Sequence, residues 1–218
     1  GKFIVSAGED KTIRIWDISS QYAYNQYKAS SFSHGGRYAV LQSKESTIIW
    51  DTKTGNAKLS YDKDISIDIS TDENYAALVV DNNLIQIFNL KTGKTIQELK
   101  GQMSNVFSAI LSHDGKLLIS TSADDNTSVW DYGNNIVRIW GVKNGKEFKK
   151  MQMPPLCNEI DSTVFSPDNR LVALSAQTDI GVLVKMWNLE TEAVIELETE
   201  NFYAQRTELL FSQNGKTT

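Results

Sequence analysis

The stretch SAGEDKTIRIWDI, Ser6 to Ile18, sets a pattern that the rest of the chain repeats. A polar loop leads into the β-rich run Ile13–Trp16, which closes on an aromatic followed by an acid, Trp16–Asp17. An aromatic followed by Asp or Asn returns as Trp50–Asp51, Phe88–Asn89 and Trp187–Asn188, with Trp140–Gly141 in the fourth place. The steps between these aromatics are 34, 38, 52 and 47 residues. Their mean, about 43, falls in the period of four-stranded repeat units.

A second marker keeps the same beat. Ser followed by a turn occurs as SHGGR from Ser33, STDEN from Ser70, SHDGK from Ser112, SPDNR from Ser166 and SQNGK from Ser212. Gly, Asn and Asp tolerate positive φ, so each of these reads as a hairpin turn. A third marker follows the aromatic: TKTGN from Thr52, LKTGK from Leu90 and VKNGK from Val142 form the next hairpin. Each unit is therefore expected to run strand, Ser turn, strand, loop, strand ending in the aromatic pair, Gly turn, strand. In the third unit this predicts strands near Ile65–Ile69, Ala76–Val80, Leu84–Phe88 and Thr95–Leu99. Apolar residues fill both parities of several runs, as when a sheet is packed on both faces.

Together these markers resemble the WD-repeat β-propeller family over essentially the whole chain. The resemblance implies an all-β propeller of four-stranded antiparallel blades. The family usually carries a Gly–His pair before the first strand of a blade, where its His joins a hydrogen-bond network with Ser or Thr, a turn Asp and the Trp. Here only Gly101–Gln102 stands in that place, and Ser6, Asp10 and Trp16 supply three members in the first unit. Apolar packing is accordingly expected to dominate, with Trp16, Trp50, Phe88, Trp140 and Trp187 largely buried. Residues 1–218 read as a single propeller domain or partial propeller. Gly1–Lys2 and Gly215–Lys216 occupy the same inter-strand turn five periods apart. Four complete blades are expected between Ser30 and Leu197, with two partial ones flanking them. The family's usual seven blades favour a fragment of a larger ring. A five-bladed ring, with the strand near Thr207–Phe211 joining the opening strands, is the alternative.

The 218 residues are 40% hydrophobic, 22% charged and 10% aromatic, a packed-protein composition. With 22 basic against 27 acidic side chains the net charge is −5, so the positive field expected of a nucleic-acid binder is missing. The densest basic run, Lys143–Lys150, reads as a solvated turn and edge strand. Cys157 is the single cysteine, which rules out a disulfide within the chain and a zinc site built on several thiolates. No apolar run approaches the ~18 residues of a membrane span, and GKFIVSAGED lacks the form of a signal peptide. The expected setting is cytoplasmic, with the nucleus as the other choice.

Catalytic patterns are scarce. Asn214–Gly215–Lys216–Thr217 resembles the end of a phosphate-binding loop, but Leu210 stands where that motif needs its first Gly. His34 and His113 each fall in a Ser turn. Asn126–Thr127–Ser128 is a glycosylation pattern relevant only to a secreted chain. Asp62, Asp64, Glu159 and Asp161 precede the first strands of the third and fifth units and approach the expected channel mouth. An acid–base pair there would make a hydrolase or lyase. No metal or cofactor is expected, and no enzyme activity.

The resemblance implies recognition of other proteins or peptides by a rigid platform within a larger assembly. The fourth unit is about ten residues longer than its neighbours. Leu117–Thr121 matches a second strand and Val137–Trp140 a third, which puts the insertion in Asp124–Asn135, DDNTSVWDYGNN. Its Trp130 and Tyr132, beside Asp124, Asp125 and Asp131, have the chemistry of interface anchors. In the alternative, Val129–Trp130–Asp131 is itself the third strand and Trp130 is buried.

Overall fold

The computed structural model describes residues 3–7, 13–17, 23–81, 83–100, 105–123, 135–154, 157–178, 181–200 and 207–212, with side chains from Ser31 onward except at 123, 158–159 and 198–200. The described residues form strands joined by turns, and no helix among them is long and apolar enough to cross a membrane.

The strands fall into the predicted units. β1 (Phe3–Ala7), β2 (Ile13–Asp17) and the first half of β3 (Ala23–Phe32) make a three-stranded antiparallel group. From Lys28 onward β3 changes partner and pairs with β4 (Tyr38–Gln42), which is followed by β5 (Thr47–Asp51) and β6 (Asn56–Tyr61). The third unit comprises β7 (Ser66–Ile69), β8 (Tyr75–Asp81), β9 (Leu84–Asn89) and β10 (Lys94–Lys100), within a residue or two of the expected bounds. β11 (Val106–Leu111), β12 (Leu117–Ala123), β13 (Asn135–Gly141) and β14 (Glu147–Gln152) build the fourth. β15 (Cys157–Phe165), β16 (Leu171–Thr178), β17 (Gly181–Asn188) and β18 (Val194–Glu200) build the fifth. Through β3 the opening group and the second unit form one six-stranded sheet, and three four-stranded antiparallel sheets follow, the architecture of a β-propeller. Residues 207–212 belong to no sheet but run beside β15, where the Leu209 N–H donates to Ser162 Oγ at 3.2 Å.

Successive sheets hold each other through apolar faces. Tyr38 and Ile49 of the second unit pack with Ile65, Leu78 and Phe88 of the third. Ile85, Ile87 and Leu99 then meet Leu118 and Trp140 of the fourth. Ile119, Val137 and Ile139 meet Phe165, Leu174 and Trp187 of the fifth. Phe88, Trp140 and Trp187 are buried as expected, and the Trp140 indole N–H donates to Ser120 Oγ at 2.8 Å. Trp50 departs from expectation in being half-buried, while the side chain of Trp16 lies outside the described residues.

The Ser turns share one hydrogen-bond plan. The Ser hydroxyl accepts the backbone N–H five residues on, at 2.9 Å from Tyr38, 3.0 Å from Tyr75, 3.0 Å from Leu117 and 2.9 Å from Leu171. It donates to the Asp two residues on, at 2.6 Å for Asp72, 2.9 Å for Asp114 and 2.6 Å for Asp168. In the second unit that position is Gly35, and Ser33 donates instead to Glu73 of the next unit's turn. The same Glu73 oxygen accepts from the Gly35 and Arg37 amides at 3.0 and 3.3 Å. A Cβ on Gly35 would stand 2.8 Å from it, so the missing side chain makes room for the substitute carboxylate. Glu73 has φ 55, which costs a non-glycine residue about 1–2 kcal/mol, and these contacts offset it. Neighbouring turns meet again where Gly115 backs onto Tyr75 and where Asn169 Oδ1 accepts the His113 N–H at 3.0 Å.

Replacing Trp140 with Ala is expected to cost about 3–5 kcal/mol in chemical denaturation, since both its packing and its indole bond are lost. Trp50→Ala is expected to cost distinctly less, because part of that indole already contacts water.

Candidate interaction surfaces

The insertion leaves a well-anchored stem. β12 pairs with β13 without a break from Leu117↔Gly141 to Ala123↔Asn135, so residues 124–134 fall between them. The third strand is therefore the one ending on Trp140, and the alternative built on Val129–Trp130–Asp131 does not hold that place. Asn135, assigned to the loop from sequence, instead opens β13 and donates from Nδ2 to the Cys157 carbonyl at 3.1 Å. Asp124, Asp125, Trp130, Asp131 and Tyr132 lie outside the described residues. Below them the stem is polar and buried. Arg138, 5% exposed, donates to Ser122 Oγ at 2.9 Å and pairs with Glu147 at 3.2 Å.

Beside this stem stands an aromatic that the sequence reading missed. The register of β11 on β12 slips between Val106↔Ser122 and Ser108↔Thr121, leaving Phe107 in a bulge. Phe107 is 54% exposed, although its run NVFSAILS looks like any other inner strand.

At the opposite end of the sheets, where the Ser turns lie, a cavity of about 260 Å³ opens between the first strands of the third, fourth and fifth units and residues 210–211. Its walls are mainly apolar, with Ile110, Leu111, Val164, Phe165 and Leu210 among them, while Thr71, His113 and Pro167 come from the turns. One carboxylate enters it, Asp68 of β7. The two residues before each Ser read Asp68–Ile69, Ile110–Leu111, Val164–Phe165 and Leu210–Phe211, so an acid occupies a place that is apolar in the next three units. Asp68 Oδ2 accepts the Leu111 N–H at 2.7 Å, a bond from one unit to the next. Burial pushes its pKa up to about 6, against the lowering effect of the Leu111 and Ile69 amides.

Of the carboxylates singled out from sequence, the three with described side chains, Asp62, Asp64 and Asp161, form no contact with one another. Asp62 and Asp64 are exposed, and the side chain of Glu159 lies outside the described residues. Asp161 Oδ2 accepts from Gln177 Nε2 and, at 3.1 Å, from the Thr207 amide, so its hydrogen bonds join the fifth unit to residues 207–212. His34 and His113 are exposed turn residues, as read. In the Lys143–Lys150 run, Lys149 pairs with Glu192 at 2.7 Å. Among the described residues no three His, Cys, Asp or Glu side chains are arranged to hold a metal ion.

Asp68 sets a pH signature. A carboxyl that binds its proton more tightly folded than unfolded favours the native state below about pH 4, and that advantage fades as pH rises to about 6. The full span is up to about 3 kcal/mol at 1.36 kcal/mol per pH unit. Asp68→Asn keeps an acceptor for Leu111 and removes the titration. Melting curves from pH 4 to 8 are expected to show the variant gaining on the parent up to about pH 6, with a constant difference above it.

Comparison with known proteins agrees with this architecture. The family model described as WD domain, G-beta repeat matches residues 1–17 and 93–131. Its second match ends on Trp130–Asp131, ahead of the strand that closes on Trp140 in the sheet. The small ribosomal subunit protein RACK1 of Neurospora crassa is 27% identical over 150 residues, covering 64% of this chain and 47% of that protein. Apoptotic protease-activating factor 1 of Danio rerio is 24% identical over 194 residues, covering 83% of this chain and 15% of that protein. The chain thus spans less than half the length of either relative. A chain of Kuenenia stuttgartiensis hydrazine synthase superposes with a TM-score of 0.66 at 16% identity, over 93% of this chain and 65% of that one, a likeness of fold alone. The repeated turns, the four-stranded sheets and these matches make the chain similar to WD-repeat β-propeller proteins.

Proposed function

We propose that the chain is a protein-interaction platform, one propeller domain or part of one, that works inside a larger assembly. Partners dock on the face from which residues 124–134 leave. The observation that carries this reading is Phe107, a half-exposed aromatic held in a bulge next to a buried, hydrogen-bonded stem. Trp130 and Tyr132 follow that stem in sequence, and Asp124, Asp125 and Asp131 supply the polar surround of an interface anchor. A relative that is by name a ribosomal subunit protein supports membership of an assembly. It also supports a cytoplasmic setting, with the nucleus as the other choice.

A non-enzymatic role is part of the proposal. Asp161 is engaged in holding Gln177 and residues 207–212, and Asp62 and Asp64 are open to solvent, an arrangement that offers no carboxyl pair with divided acid and base roles.

Proteins retained by the chain from a lysate, once identified and purified, provide the test by calorimetric titration. Phe107→Ala, Trp130→Ala and Tyr132→Ala are each expected to weaken the partner by about 2 kcal/mol, with melting temperatures nearly unchanged. Unchanged affinity in all three variants would move the docking surface elsewhere. A large loss of stability in Trp130→Ala would show that indole to be part of the core.

A further inference from the structure

The cavity at the Ser-turn end carries an inference that goes beyond docking at the insertion and uses the opposite end of the sheets. We propose that it is a subsite for one basic side chain of a partner peptide, with Asp68 as the counter-ion and the apolar walls packing the aliphatic stem. Three observations lead there. The cavity, about 260 Å³, is of side-chain size rather than of domain size. Its walls are apolar except at Asp68 and the turn residues, so an occupant needs a hydrocarbon length ending in a polar head. Asp68 is held in place by Leu111 and meets no Lys or Arg among the described residues.

Charge decides the class of occupant. An ionised carboxylate in an apolar recess lacks the solvation it would have in water, and an arriving ammonium or guanidinium restores that loss. An anionic occupant would add repulsion, and a purely apolar one would leave the carboxylate uncompensated. The other titratable group lining the cavity is His113, from the fourth unit's turn. β11 and β15 contribute Ile110, Leu111, Val164 and Phe165, none of which titrates. Glu208, on the segment that supplies Leu210, is exposed, and Asp72 of the adjoining turn bonds to Ser70 and Asn74.

The test uses the intact chain and three capped amino acids, N-acetyl-arginine amide, N-acetyl-lysine amide and N-acetyl-norleucine amide, titrated while the Ile69 and Leu111 amide resonances are followed by NMR. Saturable shifts are expected with the arginine or lysine compound, and binding of the norleucine compound at least about tenfold weaker. Asp68→Asn is expected to lose that preference, while Trp130→Ala keeps it. In the parent the basic ligand binds more tightly as pH rises from 5 to 7.5, because it selects the ionised carboxylate. His113→Asn retains that rise and Asp68→Asn abolishes it. Equal binding of norleucine, or a preference that survives Asp68→Asn, would overturn the subsite. Partner binding that depends on Trp130 together with no response to either basic compound would leave the platform reading standing and remove this one.

Discussion

The sheets of the third and fourth units each have two apolar faces, and that constraint governs the rest. In β8, Ala76, Ala77 and Leu78 are consecutive and all fully buried, so neighbours on both sides of the sheet are required. A lone sheet of this kind would expose one oily face whichever way it turned. Stacking sheet on sheet solves the problem, and the short links between units permit it. β3 shows how short the link becomes, because a single continuous strand ends the first unit and begins the second. The insertion falls between β12 and β13, at the end of their sheet opposite the Ser turn.

Polar contacts between turns add what apolar faces lack, a fixed rotation of one sheet against the next. The bonds of Glu73 to the second unit's turn, of Asp68 to β11, and of Asn169 to the fourth unit's turn each join adjacent units near the same end. The turn carboxylates and Asp68 respond to this setting in opposite ways. Burial acts to raise Asp72, but the Ser70 hydroxyl and the Asn74 donors outweigh it and hold the carboxyl below its usual range. Among the described residues Asp68 has two amide donors and no hydroxyl or cation partner, and burial wins. Acid therefore weakens the turns while relieving the strand beside them.

What was legible in the sequence is what is local. The Ser turns were readable because hydroxyl, carboxylate and amide lie within five residues of one another, and the strands follow from the turns at their ends. The third strand of the fourth unit was placed correctly because Val137–Trp140 repeats Ile13–Trp16. Non-local chemistry was not legible. Glu73 replaces a missing Asp across about 40 residues of chain, and nothing in its own turn announces that it bonds Ser33. Phe107 faces water because a bulge shifts the alternation of β11, and a bulge depends on the partner strand. Asp62, Asp64, Glu159 and Asp161 stand out in sequence by their nearness to strand starts, whereas half-buried Asp68 sits near a strand's end and gains its character from its cross-unit bond to Leu111.

Asp68 also bears on how such a platform separates stability from recognition. Ile110, Val164 and Leu210 occupy the corresponding places in the following units, so the position accepts an aliphatic side chain. An aliphatic residue there would extend the apolar lining and remove the half-buried charge, which by ordinary packing arguments favours the fold. The bond to Leu111 recovers only part of the difference, since that amide would otherwise find a neutral acceptor or water. What the carboxylate supplies in exchange is directionality, because an apolar recess takes any oily group and a recess with one fixed negative charge discriminates among them. In the two proposals the ends of the stack divide recognition by physics. Beside the insertion, half-exposed Phe107 offers aromatic area, which in the proposed docking contributes affinity. The Ser-turn end offers one half-buried charge in a mainly apolar recess, which in the proposed subsite contributes selectivity.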